Sequence, residues 1–230
     1  MGPDVAWEET MCTTTLRRFT PSLWLSAFVF SACMGAGSGS GFMYKNLPIA
    51  DGTTPAGEGH AVLYKGSPLV LSGTGIKAGD QLRDVKLTDR DLSLVNIVDT
   101  KGKGKVRIIS VVPSLDTKVC EQQTHILSEK NKGLDKMVEL ITVSVDTPFA
   151  QKRFAEEAKI ANVTFLSDYR GADFGKTYGL FLKDLHVLAR AVMVVDPQNK
   201  VRYLQVTPEL AQLPDMDEAF SVARSLITSG

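Results

Sequence analysis

Seven residues, 106–112 (VRIISVV), form an almost continuously apolar run. Such a run suits a central strand buried on both faces. Polar turn residues follow, and then a helical pattern over 118–131. The alternation repeats: a strand at 139–144, a helix opened by Pro148, and a strand at 163–166. Within that helix Ala150, Phe154 and Ala158 recur at i, i+4 and i+8, which predicts a core-facing stripe. Further on, 191–195 and 201–206 flank Asp196-Pro197-Gln198-Asn199-Lys200 as a hairpin, and 216–227 reads as a last helix. Upstream, AVLYKGSPLVLSG predicts another hairpin turning at Lys65-Gly66, and the weak alternation over 87–97 predicts an edge strand. Strands and helices alternate first and an antiparallel pair follows. The fold class is therefore α/β, a mixed sheet flanked by helices with an N-terminal β-hairpin.

This pattern begins only near residue 59. Arg17 and Arg18 precede an apolar run from Leu23 to Phe30, and small residues then lead to Cys33. Charge, apolar core and small residues in that order describe a secretory leader, too short for a stable transmembrane helix. Phe30-Ser31-Ala32-Cys33 resembles the lipobox of bacterial lipoproteins, which makes Cys33 the expected lipidation site. Residues 35–58 contain GAGSGSG and DGTTPAGEG, a composition that buries little apolar surface and reads as a flexible tether. The expected organisation is a leader at 1–34, a tether at 35–58 and one domain at 59–230. Export to the periplasmic side follows, with attachment to a membrane by lipid alone. A start at Met11, or a leader that does not function and a cytoplasmic chain, remain open.

Charge narrows the partners. Lys and Arg total 26 of the 230 residues and Asp and Glu also 26, so no excess charge points to nucleic acid. Lys101, Lys103 and Lys105 are spaced by glycines and read as a solvated turn. The three cysteines, Cys12, Cys33 and Cys120, include no CxxC pair and no histidine at metal-ligand spacing, so neither a zinc site nor a thioredoxin-type dithiol is expected. His125 lies five residues after Cys120, round the helix from the thiol, and reads as a surface residue.

Cys120 stands apart through its context. The strand ends at Pro113, a turn follows, and Thr117 in N-cap position makes Cys120 the third residue of a helix. There, unpaired backbone N–H groups and the positive dipole end favour a thiolate, the reactive form of sulfur. Each residue also has a plainer reading: Cys120 as a small buried hydrophobe, Thr117 as a cap alone, Arg190 as half of a structural ion pair, Pro113 as a strand terminator.

The segments VPSLDTKVC, DTPFAQKRF, FLSDYRGADFGKTYGL and LARAVMVVD, in this order, resemble bacterial thiol peroxidases, atypical two-cysteine members of the peroxiredoxin family. The resemblance implies a thioredoxin-like fold, cofactor-free reduction of hydroperoxides, a thiol reductant (a thioredoxin-like protein or a small thiol) and a homodimer. Position by position it implies that Cys120 is the peroxidatic cysteine, Thr117 the threonine of its TxxC motif, Pro113 the loop proline and Arg190 the arginine of LARA. Two departures stand out. Ala155 occupies the place of the usual resolving cysteine, in Lys152-Arg153-Phe154-Ala155, and Gln81-Leu82-Arg83-Asp84 replaces a usual proline and phenylalanine. Without Ala155's missing sulfur, oxidation to a sulfenic acid stays possible but an external thiol must regenerate the enzyme. A non-catalytic lipoprotein using the fold as an interaction module is the competing function. A dithiol oxidoreductase, needing two sulfurs, is disfavoured.

Overall fold

The computed structural model describes residues 41–102 and 104–228. Cys12, Cys33, the leader and the first part of the expected tether lie outside these residues. Four strands run where the apolar pattern put them. They are β5 (Arg107–Val111), β6 (Glu139–Ser144), β10 (Ala191–Val195) and β11 (Val201–Val206), after the N-terminal pair β1 (Ala61–Tyr64) and β2 (Ser67–Ser72). The pair turns at Lys65 and Gly66, both at positive φ, as a two-residue hairpin turn requires.

β5 and β6 are parallel, as are β6 and β7 (Thr164–Ser167), whereas β10 lies antiparallel between β5 and β11. The edge expected at 87–97 is two short strands, β3 (Lys86–Thr88) and β4 (Leu94–Asn96). The reason is Asp89, whose carboxylate accepts from the amides of Asp91 and Ser93 and forces a turn. The resulting sheet has the order β11-β10-β5-β6-β7-β3-β4. A smaller sheet joins β1 and β2 to β8 (Phe181–Leu182) and β9 (Val187–Leu188), a pair the sequence pattern did not reveal.

Alternate residues of the central strands feed two cores. Ile109, Val111, Ile141, Val143 and Met193 pack with the small sheet and with α3 (Asp173–Tyr178). Ile108, Leu140, Val192 and Val194 pack with α1 (Lys118–Glu129) and α4 (Met216–Thr228), and α2 (Pro148–Glu157) leans on the same core through Phe154, Ala155 and Ala158. Of the expected stripe, Ala150 does not join it, and the fully buried residues of α2 are Pro148 and Gln151. Gln151 is admitted because its amide donates to Ser144 Oγ and Leu166 O. Helix α1 ends at Glu129 rather than 131, where Asn131 folds back to donate to Leu127 O and Ser128 O.

The domain starts earlier than the composition suggested. Residues 41–58, expected as tether, lie along the domain: Ala50 N donates to Leu213 O, Leu213 N to Pro48 O, Thr54 N to Val206 O and Gly57 N to Gly179 O. The compact unit accordingly begins at Gly41. Gly and Pro made the segment look structureless, yet an extended chain needs no apolar periodicity to be held by backbone bonds. Part of it covers the outer edge of β11, where Val206 N also donates to Thr53 Oγ1, so that edge offers less to another chain.

Candidate active site

The loop between β5 and α1 decides where the sulfur sits. Ser114 Oγ donates to Asp146 Oδ1 and Leu115 N to Asp146 Oδ2, both at 2.8 Å, which ties the loop to the end of β6. Thr117 takes the N-cap position with extended φ and ψ, and Glu121 N donates to Thr117 O as the helix begins. Its side chain, however, does not cap. The hydroxyl donates to Cys120 Sγ at 2.9 Å instead, so the structure does not support Thr117 as a cap alone.

Cys120 is the third residue of α1 and is 0 % exposed. Arg190 reaches it from the residue before β10, with Nη2 3.4 Å from Sγ. The rest of the guanidinium is held by neutral oxygens: Nη1 donates to Gln123 Oε1 at 2.7 Å and Nε to Leu210 O at 2.9 Å. Among the described residues no carboxylate forms an ion pair with Arg190, so its alternative reading as half of a structural ion pair is not what the geometry shows. A positive charge that is 2 % exposed lies against the sulfur, where it can offset negative charge that develops there during reaction. The helix N-terminus acts in the same direction.

Sequence reasoning missed Gln123. It is fully buried, and its amide nitrogen donates to Ser110 Oγ at 2.8 Å and to Ala191 O at 3.2 Å, while its oxygen receives Arg190. It thereby fixes the guanidinium to the two strands that carry the site. A glutamine three residues after the cysteine, inward on the same helix face, is the signal that was available. His125, expected at the surface, is 4 % exposed because Phe42 covers its ring. Pro113 ends β5 and is half-buried; it shares the loop but makes no hydrogen bond with the other three residues.

Ala155 lies on α2, partly buried, on the wall of a cavity of about 490 Å3 beside Gln151, Ile160 and Phe165. That cavity touches none of Cys120, Thr117 and Arg190, so it is separate from the sulfur chemistry. Among the described residues Cys120 is the only cysteine, and it is free.

The Redoxin family model matches residues 77–220. The thiol peroxidase of Halalkalibacterium halodurans is 42% identical over 167 residues, which cover 73% of this chain and 99% of that protein. The thiol peroxidase of Streptococcus pneumoniae is 40% identical over 165 residues, 72% of this chain and 99% of that one. Among solved structures, a peroxiredoxin-like protein from Aquifex aeolicus superposes with a TM-score of 0.68 at 37% identity, covering 76% of this chain and 99% of its own. A thiol peroxidase from Chromobacterium violaceum, with a TM-score of 0.63 and 23% identity over 74% of this chain and 98% of its own, shares the fold. With a buried, hydrogen-bonded cysteine at the head of α1 and relatives of this closeness over nearly their whole length, the chain belongs to the Redoxin family and, within it, to the thiol peroxidases.

Proposed function

We propose that Cys120 is the nucleophile of this thiol peroxidase and that Thr117 and Arg190 align and stabilise it. The observation that carries this reading is the convergence of the Thr117 hydroxyl and the Arg190 guanidinium on one buried sulfur. The thiolate attacks the terminal oxygen of ROOH, the O–O bond breaks, and the alkoxide leaves and takes a proton to become ROH or water. Cys120 is then a sulfenic acid. The hydroxyl of Thr117 donates to sulfur in the resting state and can turn to donate to the peroxide, since one hydroxyl both gives and accepts. Arg190 stays charged throughout and offers its second N–H to the same oxygen. Pro113 shapes the loop at the mouth of the site.

Recycling is external. A thiol R′SH condenses with the sulfenic acid, water leaves, and a second R′SH releases Cys120 and R′SSR′. The support is Ala155, which places no sulfur at the family's usual resolving position. Peroxide consumption with dithiothreitol as reductant tests the reading: wild type turns over and Cys120→Ser does not, whereas equal rates would remove Cys120 from the chemistry.

Export and a lipid on Cys33 are supported by the Arg17-Arg18, apolar and Phe30-Ser31-Ala32-Cys33 order; the mass of the protein extracted from membranes tests them, and an unmodified Cys33 overturns the anchor. Pairing of two copies is supported by Phe149, 70 % exposed at the start of α2 close to the Asp146-bound loop. Sedimentation of the wild type and of Phe149→Ser tests it.

A further inference from the structure

Cys120 has no exposed surface, so a large reductant meets it only when the first turn of α1 opens. Something outside the helix holds that turn. Gln122, two residues beyond the cysteine and 3 % exposed, accepts from Lys45 N and donates to Lys45 O, both at 2.8 Å, a two-bond pairing like one rung of a sheet. One turn on, the Phe42 ring stacks on His125 at 3.9 Å with 13° between the planes. A further turn on, Tyr44 donates its hydroxyl to Glu129 Oε2 at 2.7 Å, and Lys130 Nζ lies 3.7 Å over the Tyr44 ring. Glu129 is itself bound to His125 Nδ1 at 2.6 Å. Partial burial alone would push Glu129 up, but the hydrogen bonds from Tyr44 and His125 outweigh it and hold the carboxyl below its ordinary range. Three residues, Phe42, Tyr44 and Lys45, thus grip three successive turns of the cysteine helix. Their downstream end is pinned in turn by the backbone pairs of Pro48 and Ala50 with Leu213. The segment lies outside the span 77–220 matched by the family model.

We propose that residues 42–45 form a strap that keeps the cysteine-bearing turn of α1 closed, so that the oxidised sulfur is regenerated in place and only by thiols of small-molecule size. This rests on the reading of Cys120 as the peroxidatic sulfur. Opening the turn without the strap spares a buried amide pair. Opening it with the strap in place breaks two further hydrogen bonds and a ring stack, which is enough to lower the open population by roughly ten- to a hundredfold. A sulfenic acid held inside accepts a small thiol: R′SH adds to sulfur, water leaves, and a second R′SH completes the reduction. A protein thiol has to wait for the turn to open.

The test uses full-length protein and the variants Phe42→Ala, which removes the stack, and Gln122→Ala, which removes the pair. The reduced thiol is alkylated with iodoacetamide and, separately, with a polyethylene glycol maleimide of protein size. The strap predicts that each variant raises the ratio of large-reagent to small-reagent rate by about tenfold or more, with faster amide exchange over residues 118–124. Phe42→Tyr, which keeps the stack, should behave as wild type, and thermal melts confirm that each variant is folded; if one is not, the other carries the test. Unchanged ratios in a folded variant overturn the strap. Regeneration of oxidised wild type is then compared with 2-mercaptoethanol and with a reduced thioredoxin-type protein at equal thiol: equal rates would overturn the size limit. Absence of any sulfenic acid would instead defeat the peroxidatic reading, and the alkylation ratio would still report on the strap.

Discussion

Thr117→Val separates reactivity from helix capping. Valine keeps the shape and the β-branch, and it suits the observed φ of −112° and ψ of 142°. Only the hydroxyl is lost. Were that hydroxyl a cap, its removal would cost about 1 kcal/mol of stability; since it bonds to Cys120 Sγ at 2.9 Å and to no backbone N–H of α1, stability should change by no more than about 0.5 kcal/mol. A hydrogen bond to a charged partner is worth about 1.5–3 kcal/mol when removed from a dry site. Thr117 is exposed on its outer side, so water replaces part of the bond and the lower end applies. The expected loss is then about tenfold in the second-order rate with hydrogen peroxide. Stopped-flow peroxide consumption gives the rate and urea unfolding gives the stability. A variant that loses stability at an unchanged rate would show that the hydroxyl serves the helix and not the sulfur.

Arg190→Met should slow peroxide consumption by more than Thr117→Val, and Arg190→Lys should fall between Met and wild type, because lysine keeps the charge but not the fork that joins Gln123, Leu210 and the sulfur; equal rates for Lys and Met would mean that charge is not what matters. Asp168 is 4 % exposed, and burial pushes its carboxyl up to about 6 despite the bonds it accepts from Phe174 N and Gly175 N. The folded chain therefore holds this proton more tightly than the unfolded one, so the contribution of Asp168 is most favourable below about pH 4 and falls as pH rises from about 4 to about 6. The unfolding free energy of wild type should drop relative to Asp168→Asn by about 2–3 kcal/mol across that window, and a pH-independent difference between the two would contradict it. Ala155→Cys should close a bridge to Cys120 on graded peroxide exposure, faster when combined with Phe42→Ala, as peptide mass mapping will show; oxidation of Cys120 without a bridge would mean that α2 cannot bring residue 155 to the sulfur.

The central strands were legible because Ile108, Ile109, Leu140, Ile141, Val192 and Met193 are apolar on both faces, a pattern that survives without any knowledge of neighbours. Pro148 marked the start of α2 to the residue, and the structure adds the cap before it, Thr147 Oγ1 accepting from Ala150 N. Helix α3 was not legible. It has six residues, starts from Ala172 at a positive φ, and is held by Asp168 from outside itself, so no periodicity announces it. The same applies to residues 42–45, whose partners Gln122, His125 and Glu129 stand 77 or more residues away. In the active site, the residue types and the spacing of Thr117 and Cys120 could be read. The approach of Arg190 and the role of Gln123 depend on β5 and β10 being neighbours, which is a fact of sheet order and not of local sequence.

Trapping of the oxidised thiol tests the account most directly. Full-length protein, reduced and freed of reductant, is mixed with one equivalent of hydrogen peroxide in the presence of dimedone, and peptide mass mapping follows the adduct on Cys120 with time. The account predicts that the adduct forms on Cys120 far faster than on free cysteine treated alike, and that it slows in Thr117→Val and Arg190→Met. Labelling of Cys120 no faster than free cysteine would contradict it.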